Sequence, residues 1–257
     1  MSVTPVEIQS DYLPTTIDAL RAVTLRVNEV YDKLTIQGEG RTVGKPCTFV
    51  RLSGCNLTCS WCDTPYTWDW KGQNGVAYDR VAETHHMTVG EVVDALVAAP
   101  RLVITGGEPM LQQRAVLALA VVASHERGMK IEIETNGTIK PKYQFPSELI
   151  QWNVSPKLAH AGMHPSKTFK PEALRWYANQ RNVAWKFVCQ QASDVEEVHR
   201  FQAVTNARVG DIYVMPEGVT DEQVHASLQQ VIDAALGCGY SITPRLHVQL
   251  WGTERGR

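Results

Sequence analysis

From Thr24 onward, short Val- and Ile-rich runs alternate with helical patterns, and this alternation constrains the fold more than any other feature of the sequence. Strands are expected at 47–52, 102–105, 130–135, 150–154, 183–188, 212–215 and 242–248, between Gly, Pro or Asn residues. Helical patterns lie between them. Residues 88–98 place Val89, Val92, Val93, Leu96 and Val97 on one face. Thr88 stands as N-cap there, with Glu91 three residues on, the pattern of a capping box. Residues 112–127 are apolar nearly all round and are expected to be buried. Residues 193–205 and 220–237 start at cap residues and carry apolar spacing. Strand–helix–strand repetition implies a parallel sheet with right-handed crossovers. About six such units fit, too few for a closed eight-unit barrel of about 250 residues. The expected architecture is therefore a partial, open α/β barrel over residues 24–257, a single domain. Residues 1–23, with Pro5 and Pro14 and no clear period, read as an N-terminal extension. Residues 65–87 are too long for a turn and read as a functional insertion.

In a parallel barrel the site lies at the C-terminal ends of the strands. Polar and glycine-rich segments fall there repeatedly: Arg51-Leu-Ser-Gly-Cys55, Thr105-Gly-Gly-Glu-Pro109, Glu134-Thr-Asn-Gly137, Ser155-Pro-Lys157 and Met215-Pro-Glu217. The charge balance, 25 Lys and Arg against 27 Asp and Glu, includes no long basic run. That disfavours a nucleic-acid groove and favours a small substrate. Glu7 and Asp11 interrupt the N-terminus, which also lacks the basic start of a signal peptide. No stretch approaches the ~18 apolar residues of a membrane helix. A cytoplasmic protein with reduced thiols is expected.

Three of the six cysteines, Cys55, Cys59 and Cys62, lie within eight residues. Bunching of this kind suits a metal centre rather than a disulfide framework. Thiolates favour iron–sulfur clusters or zinc. Cys47 falls inside an expected strand, and Cys189 and Cys238 read as small buried hydrophobes. With no fourth cysteine nearby, three thiolates on a cubane leave one iron open, as a catalytic centre requires. The open position would take the amino and carboxylate groups of S-adenosylmethionine (SAM). Zinc completed by His85 or His86 is the competing reading.

Cys55-x3-Cys59-x2-Cys62, with Trp61 before the last cysteine, resembles the signature of the radical SAM superfamily. The ordered set Ile36-Gln-Gly-Glu-Gly40, Phe49-Val-Arg-Leu52, Gly54-Cys-Asn-Leu and Trp61-Cys-Asp-Thr64 more closely resembles the 7-carboxy-7-deazaguanine synthase family. Thr105–Pro109, Glu134–Gly137 and Ser155–Lys157 extend the match, which spans about residues 27 to 252. The resemblance implies a partial TIM-like barrel of the radical SAM type. It implies a lyase converting 6-carboxy-5,6,7,8-tetrahydropterin to 7-carboxy-7-deazaguanine with release of ammonia, in queuosine-type 7-deazapurine synthesis. A 4Fe–4S cluster, SAM and Mg2+ are the implied cofactors, a flavodoxin or ferredoxin the implied electron donor, and a homodimer the implied assembly. Hydrogen abstraction from the pterin by a deoxyadenosyl radical is the implied chemistry, with no catalytic side chain beyond cluster and SAM.

By the same resemblance Cys55, Cys59 and Cys62 hold the cluster and Thr64 a Mg2+ ion. Trp61, Asp63, Gly106, Gly107, Glu134, Asn136, Ser155 and Lys157 contact SAM. Ile36, Gln37, Gly38, Glu39, Arg51, Thr105 and His247 contact substrate. The residue types fit: Arg51 offers a planar fork for a carboxylate, and Thr64 a hard oxygen for Mg2+. Glu132 and Glu134 share one strand face, an expected wet lumen, and the glycine pair allows close backbone approach. Plainer readings compete. Gln37–Gly40 could be a turn, Arg51 a surface ion-pair member and Thr64 a helix cap. Glu132 reads as structural, and Tyr66, Trp68 and Trp70 as packing. The competing functions are another radical SAM enzyme, such as a glycyl-radical activase, or a non-catalytic iron–sulfur or zinc module.

Overall fold

The computed structural model describes residues 16–256. The described residues form ten strands, nine of them along a single path with β2 to one side: β1 (Thr24–Val30), β2 (Thr35–Ile36), β3 (Pro46–Leu52), β4 (His85–Thr88), β5 (Arg101–Gly106), β6 (Lys130–Thr135), β7 (Ile150–Val154), β8 (Val183–Cys189), β9 (Ile212–Pro216) and β10 (Ser241–Ile242). The helices are α1 (Ile17–Arg21), α2 (Val89–Ala95), α3 (Gln113–Arg127), α4 (Pro165–Thr168), α5 (Pro171–Ala178), α6 (Ala192–Thr205), α7 (Asp221–Gly237) and α8 (Leu246–Trp251). The order β10-β9-β8-β7-β6-β5-β3-β1-β4 has two free ends, so the barrel is open. Strands β3 and β5 to β10 pair in parallel. β1 joins β3 and β4 antiparallel, and β2 pairs β3 antiparallel.

Local chemistry accounts for the boundaries. The Thr88 side chain accepts from the Glu91 amide at 3.1 Å, and Glu91 Oε2 accepts from the Thr88 amide at 2.7 Å. This capping box stabilises the start of α2 by about 1 kcal/mol. α3 is buried from Ala115 through Ala123 and stops at Gly128, whose φ of +64° suits a residue without Cβ. Within the expected extension, residues 17–21 form α1, capped by Thr16. Leu20 is buried, and Arg21 bridges Asp94 at 2.7 Å and Glu126 at 2.5 Å. Residues 1–15 of that stretch lie outside the described residues.

Two expectations need correction. The run 242–248 is not one strand. Sheet pairing stops at Ile242, and α8 begins at Leu246. Pro244 lacks an amide hydrogen and interrupts any ladder there. The antiparallel β1–β4 flank was also not expected. The pairing of β1 with β3 shifts register between Val27 and Glu29, a bulge that breaks the two-residue alternation by which β1 would be read. No described helix crosses between β6 and β7.

Candidate active site

The C-terminal ends of the parallel strands open into a cavity of about 570 Å³. Every site residue expected from the sequence lines it except Gly38. Gly38 stands behind the wall, where an added Cβ would lie 2.1 Å from His247 Nδ1. His85 and His86 are exposed on β4, paired with Val27 and Arg26, and do not line the cavity.

The cysteine loop leaves β3 and is clamped on three sides. The Gly107 amide donates to Leu52 O at 3.0 Å, and the Glu108 amide to Gly54 O at 2.8 Å. The Gly54 amide donates to Thr67 O at 2.7 Å. The Ser60 amide donates to Ala161 O at 3.1 Å, and the Thr58 amide to Met163 Sδ at 3.3 Å. A Cβ on Gly106, whose φ is +126°, would sit 2.2 Å from Leu52 O, and one on Gly107 2.1 Å from Gly54 O. These glycines therefore serve first to let the protein's own strand ends meet.

The donor set fits an iron–sulfur cluster. Cys55, Cys59 and Cys62 share one cavity wall, while Cys47 and Cys189 are buried within β3 and β8. A mononuclear site needs its donors around one point. Among the described residues no three His, Cys, Asp or Glu side chains converge in that way. A cubane instead takes each thiolate on a separate iron. Burial pushes the Cys55 thiol up to about 12. It raises Cys59, where Lys157 opposes, and Cys62, where the Trp68 indole opposes. Loading a metal must therefore expel protons.

Across the cavity lies a buried charge network. Lys186, the single charged residue of the fully buried β8, pairs with Glu39 and stands 3.8 Å from Glu134. Arg245 reaches Glu39 at 3.2 Å and also pairs with Asp63. Burial favours the neutral acid at Glu39, but Lys186 and Arg245 outweigh it and hold the carboxyl far below its usual range. Burial likewise disfavours the charge on Lys186, and Glu134 and Glu39 outweigh it in turn. At His247 burial prevails over the pull of Glu39 and lowers the imidazole below its usual range. Thr105 Oγ1 donates to Glu134 at 2.8 Å and Gln37 Nε2 donates at 3.3 Å.

Glu132 is not in a wet lumen. It is fully buried, paired with Arg101, and accepts from Thr42 Oγ1 at 2.7 Å and Asn153 Nδ2 at 2.9 Å. Arg51 is no surface residue. Its Nη2 donates to the Tyr31 hydroxyl at 3.1 Å, while its buried Nε has no hydrogen-bond partner and stands 3.9 Å from Glu29. At the positions expected to face SAM, Lys157 Nζ donates to Ser155 Oγ at 2.9 Å and lies 5.3 Å from the Trp61 ring centre. Asn136 Nδ2 donates to Asn56 Oδ1 at 3.0 Å.

Sequence reasoning missed Lys186 and Arg245 and did not assign residues 252–255, and all of these line the cavity. A lone lysine inside Val183–Cys189 was the available signal, because an unpaired charge is rarely buried. Arg255 stacks over Tyr66 at 3.5 Å and bridges Glu83 at 3.2 Å, which fixes residues 252–255 at the cavity.

The sequence profile of the Radical SAM superfamily matches residues 49–231. The 7-carboxy-7-deazaguanine synthase of Pyrobaculum aerophilum is 37% identical over 236 residues, covering 91% of this chain and 97% of that one. That of Halobacterium salinarum is 34% identical over 249 residues, covering 88% and 90%. In fold, the crystal structure of QueE from Escherichia coli matches with a TM-score of 0.65 at 23% identity, over 87% of this chain and 95% of that one. With the thiol loop, the open parallel barrel and these relatives in agreement, the chain belongs to the 7-carboxy-7-deazaguanine synthase family of the radical SAM superfamily.

Proposed function

We propose that the protein is a lyase that turns 6-carboxy-5,6,7,8-tetrahydropterin into 7-carboxy-7-deazaguanine with loss of ammonia. The observation that carries this reading is one cavity lined both by three thiols and by Arg51, whose buried Nε lacks a hydrogen-bond partner. A 4Fe–4S cluster on Cys55, Cys59 and Cys62 supplies, when bound, the electron that cleaves SAM. A flavodoxin- or ferredoxin-class donor delivers it, and the homodimer implied by the resemblance belongs to the same proposal.

The remaining work falls to the chain's own groups. The Arg51 guanidinium, largely shielded from water, receives the substrate carboxylate. Glu39 stays ionised between two cations. A carboxylate has about four acceptor positions, and Lys186 and Arg245 leave room for the donor-rich edge of a pterin. Glu134 fixes the Thr105 hydroxyl and the Gln37 amide toward the substrate, and its carboxylate also faces SAM. His247 and the Ile36–Gly38 backbone close that end. Trp61, Asp63, Gly106, Gly107, Asn136, Ser155 and Lys157 cradle SAM, and Thr64 offers its hydroxyl to Mg2+.

Reconstituted protein incubated with SAM, Mg2+, reductant and 6-carboxytetrahydropterin tests the reading. Formation of 7-carboxy-7-deazaguanine is expected. SAM cleavage without that product would assign the site to a different radical reaction.

A further inference from the structure

Trp68 belongs to the segment that the sequence marks as an insertion, and the reaction described above gives it no role. Its side chain is buried, and its indole Nε1–H donates to Cys62 Sγ at 3.2 Å. Thr64 also reaches that sulfur, through its backbone and through Oγ1 at 3.8 Å, and the Asp63 carboxylate stands nearby. Cys55 Sγ accepts instead from the Leu57 backbone amide at 3.4 Å.

The donor is held in place by local chemistry. Residues Pro65–Thr67 form a 3-10 turn, with the Trp68 amide donating to Pro65 O at 3.0 Å and Thr67 Oγ1 donating to Thr64 O at 2.8 Å. Beyond it, the buried Asp69 carboxylate accepts from the Gln73 and Asn74 amides at 2.9 and 2.7 Å. That second turn sends Asn74 Nδ2 back to Cys59 O at 2.9 Å. The segment is thus fastened at both ends to the loop whose sulfur it touches.

We propose that Trp68 is a positioning residue that sets the reduction potential of the cluster through its N–H···S bond to Cys62. This rests on the reading of Cys55, Cys59 and Cys62 as cluster ligands. Reduction adds negative charge that spreads onto the thiolate sulfurs. A fixed donor to one sulfur favours the reduced form and raises the potential. The chemistry asks for such an aid, since three anionic ligands in a buried wall make electron uptake harder.

The test is an EPR-monitored redox titration of reconstituted protein without SAM. Trp68→Phe removes the donor. Replacement of Trp68 by 3-(3-benzothienyl)alanine keeps the ring shape and removes only the N–H. Both are expected to lower the reduced-to-oxidised ratio at a fixed poise by roughly tenfold, about 60 mV for a one-electron couple. Trp70→Phe, in the same segment, is expected to leave it unchanged. Equal potentials in wild type and the benzothienyl protein, with clusters present in both, overturn the proposal and leave the cluster reading intact. Loss of the cluster in both Trp68 variants also overturns it, marking the indole as an assembly prop. A wild-type protein that takes up no cluster overturns the cluster reading itself.

Discussion

Lys186 on β8 and Glu39 in the loop before β3 form a buried ion pair across 147 residues of sequence. Neither group could stay charged there alone, because an isolated buried ion is strongly disfavoured. Lys186→Met leaves Glu39 with Arg245 as its remaining close cation. A loss of about 3 kcal/mol in unfolding free energy is expected, read from the denaturant midpoint, along with a raised KM for the pterin. A variant as stable and as active as the wild type would show that the pair contributes little.

The same pair predicts the pH response. Glu39 is depressed below its usual value of 4.5, so its contribution is complete above that pH and is lost as pH falls through the lowered value. Lys186 is raised above 10.5, so its contribution holds below that pH and fades as pH rises through the raised value. Thermal midpoints should therefore show no slope from this pair between these limits, and an acid-side loss that Glu39→Gln diminishes.

Arg51 and Cys59 should separate two activities. Arg51→Ala keeps SAM cleavage and raises KM for the pterin roughly 10- to 100-fold, the worth of a charged hydrogen bond of about 1.5–3 kcal/mol. Cys59→Ala abolishes SAM cleavage. Measurement of 5′-deoxyadenosine and deazapurine in parallel decides it, and equal loss of both products in the Arg51 variant would refute the division.

Gly107→Ala should damage the cysteine loop. Its Cβ would meet Gly54 O at 2.1 Å, backbone against backbone, with no flexible side chain to yield. Iron and sulfide content per chain is expected to fall severalfold, with a lower thermal midpoint. Gly237→Ala, at the end of α7 with nothing within 4 Å, should keep full content.

The parts of this molecule legible in the sequence were those set by neighbouring residues. The cysteine spacing, the Thr88–Glu91 capping box and the apolar Ala115–Ala123 run of α3 each declare themselves within a few turns of chain. Arg245 could not be read in the same way. Its partners Asp63 and Glu39 lie 182 and 206 residues away, and β-branched residues around Pro244 mimic a strand. Lys186 was visible as a charge in an apolar strand, but its role depends on a loop that only folding brings beside it. The glycines of Thr105–Pro109 were legible as tight spots, while the object they make room for, the end of β3, was not.

Arg245 grips Glu39, proposed above to face the substrate, and Asp63 beside the last cysteine, while its third nitrogen holds the Gly218 carbonyl. With one rigid fork shared between the two ends, a ligand that displaces either carboxylate is expected to be felt at the other. Linkage makes that influence equal in both directions: if the pterin tightens the hold on SAM tenfold, SAM tightens the hold on the pterin by the same factor. Equilibrium titrations of each ligand with and without the other read that factor, and a value of one would mean the shared arginine transmits nothing.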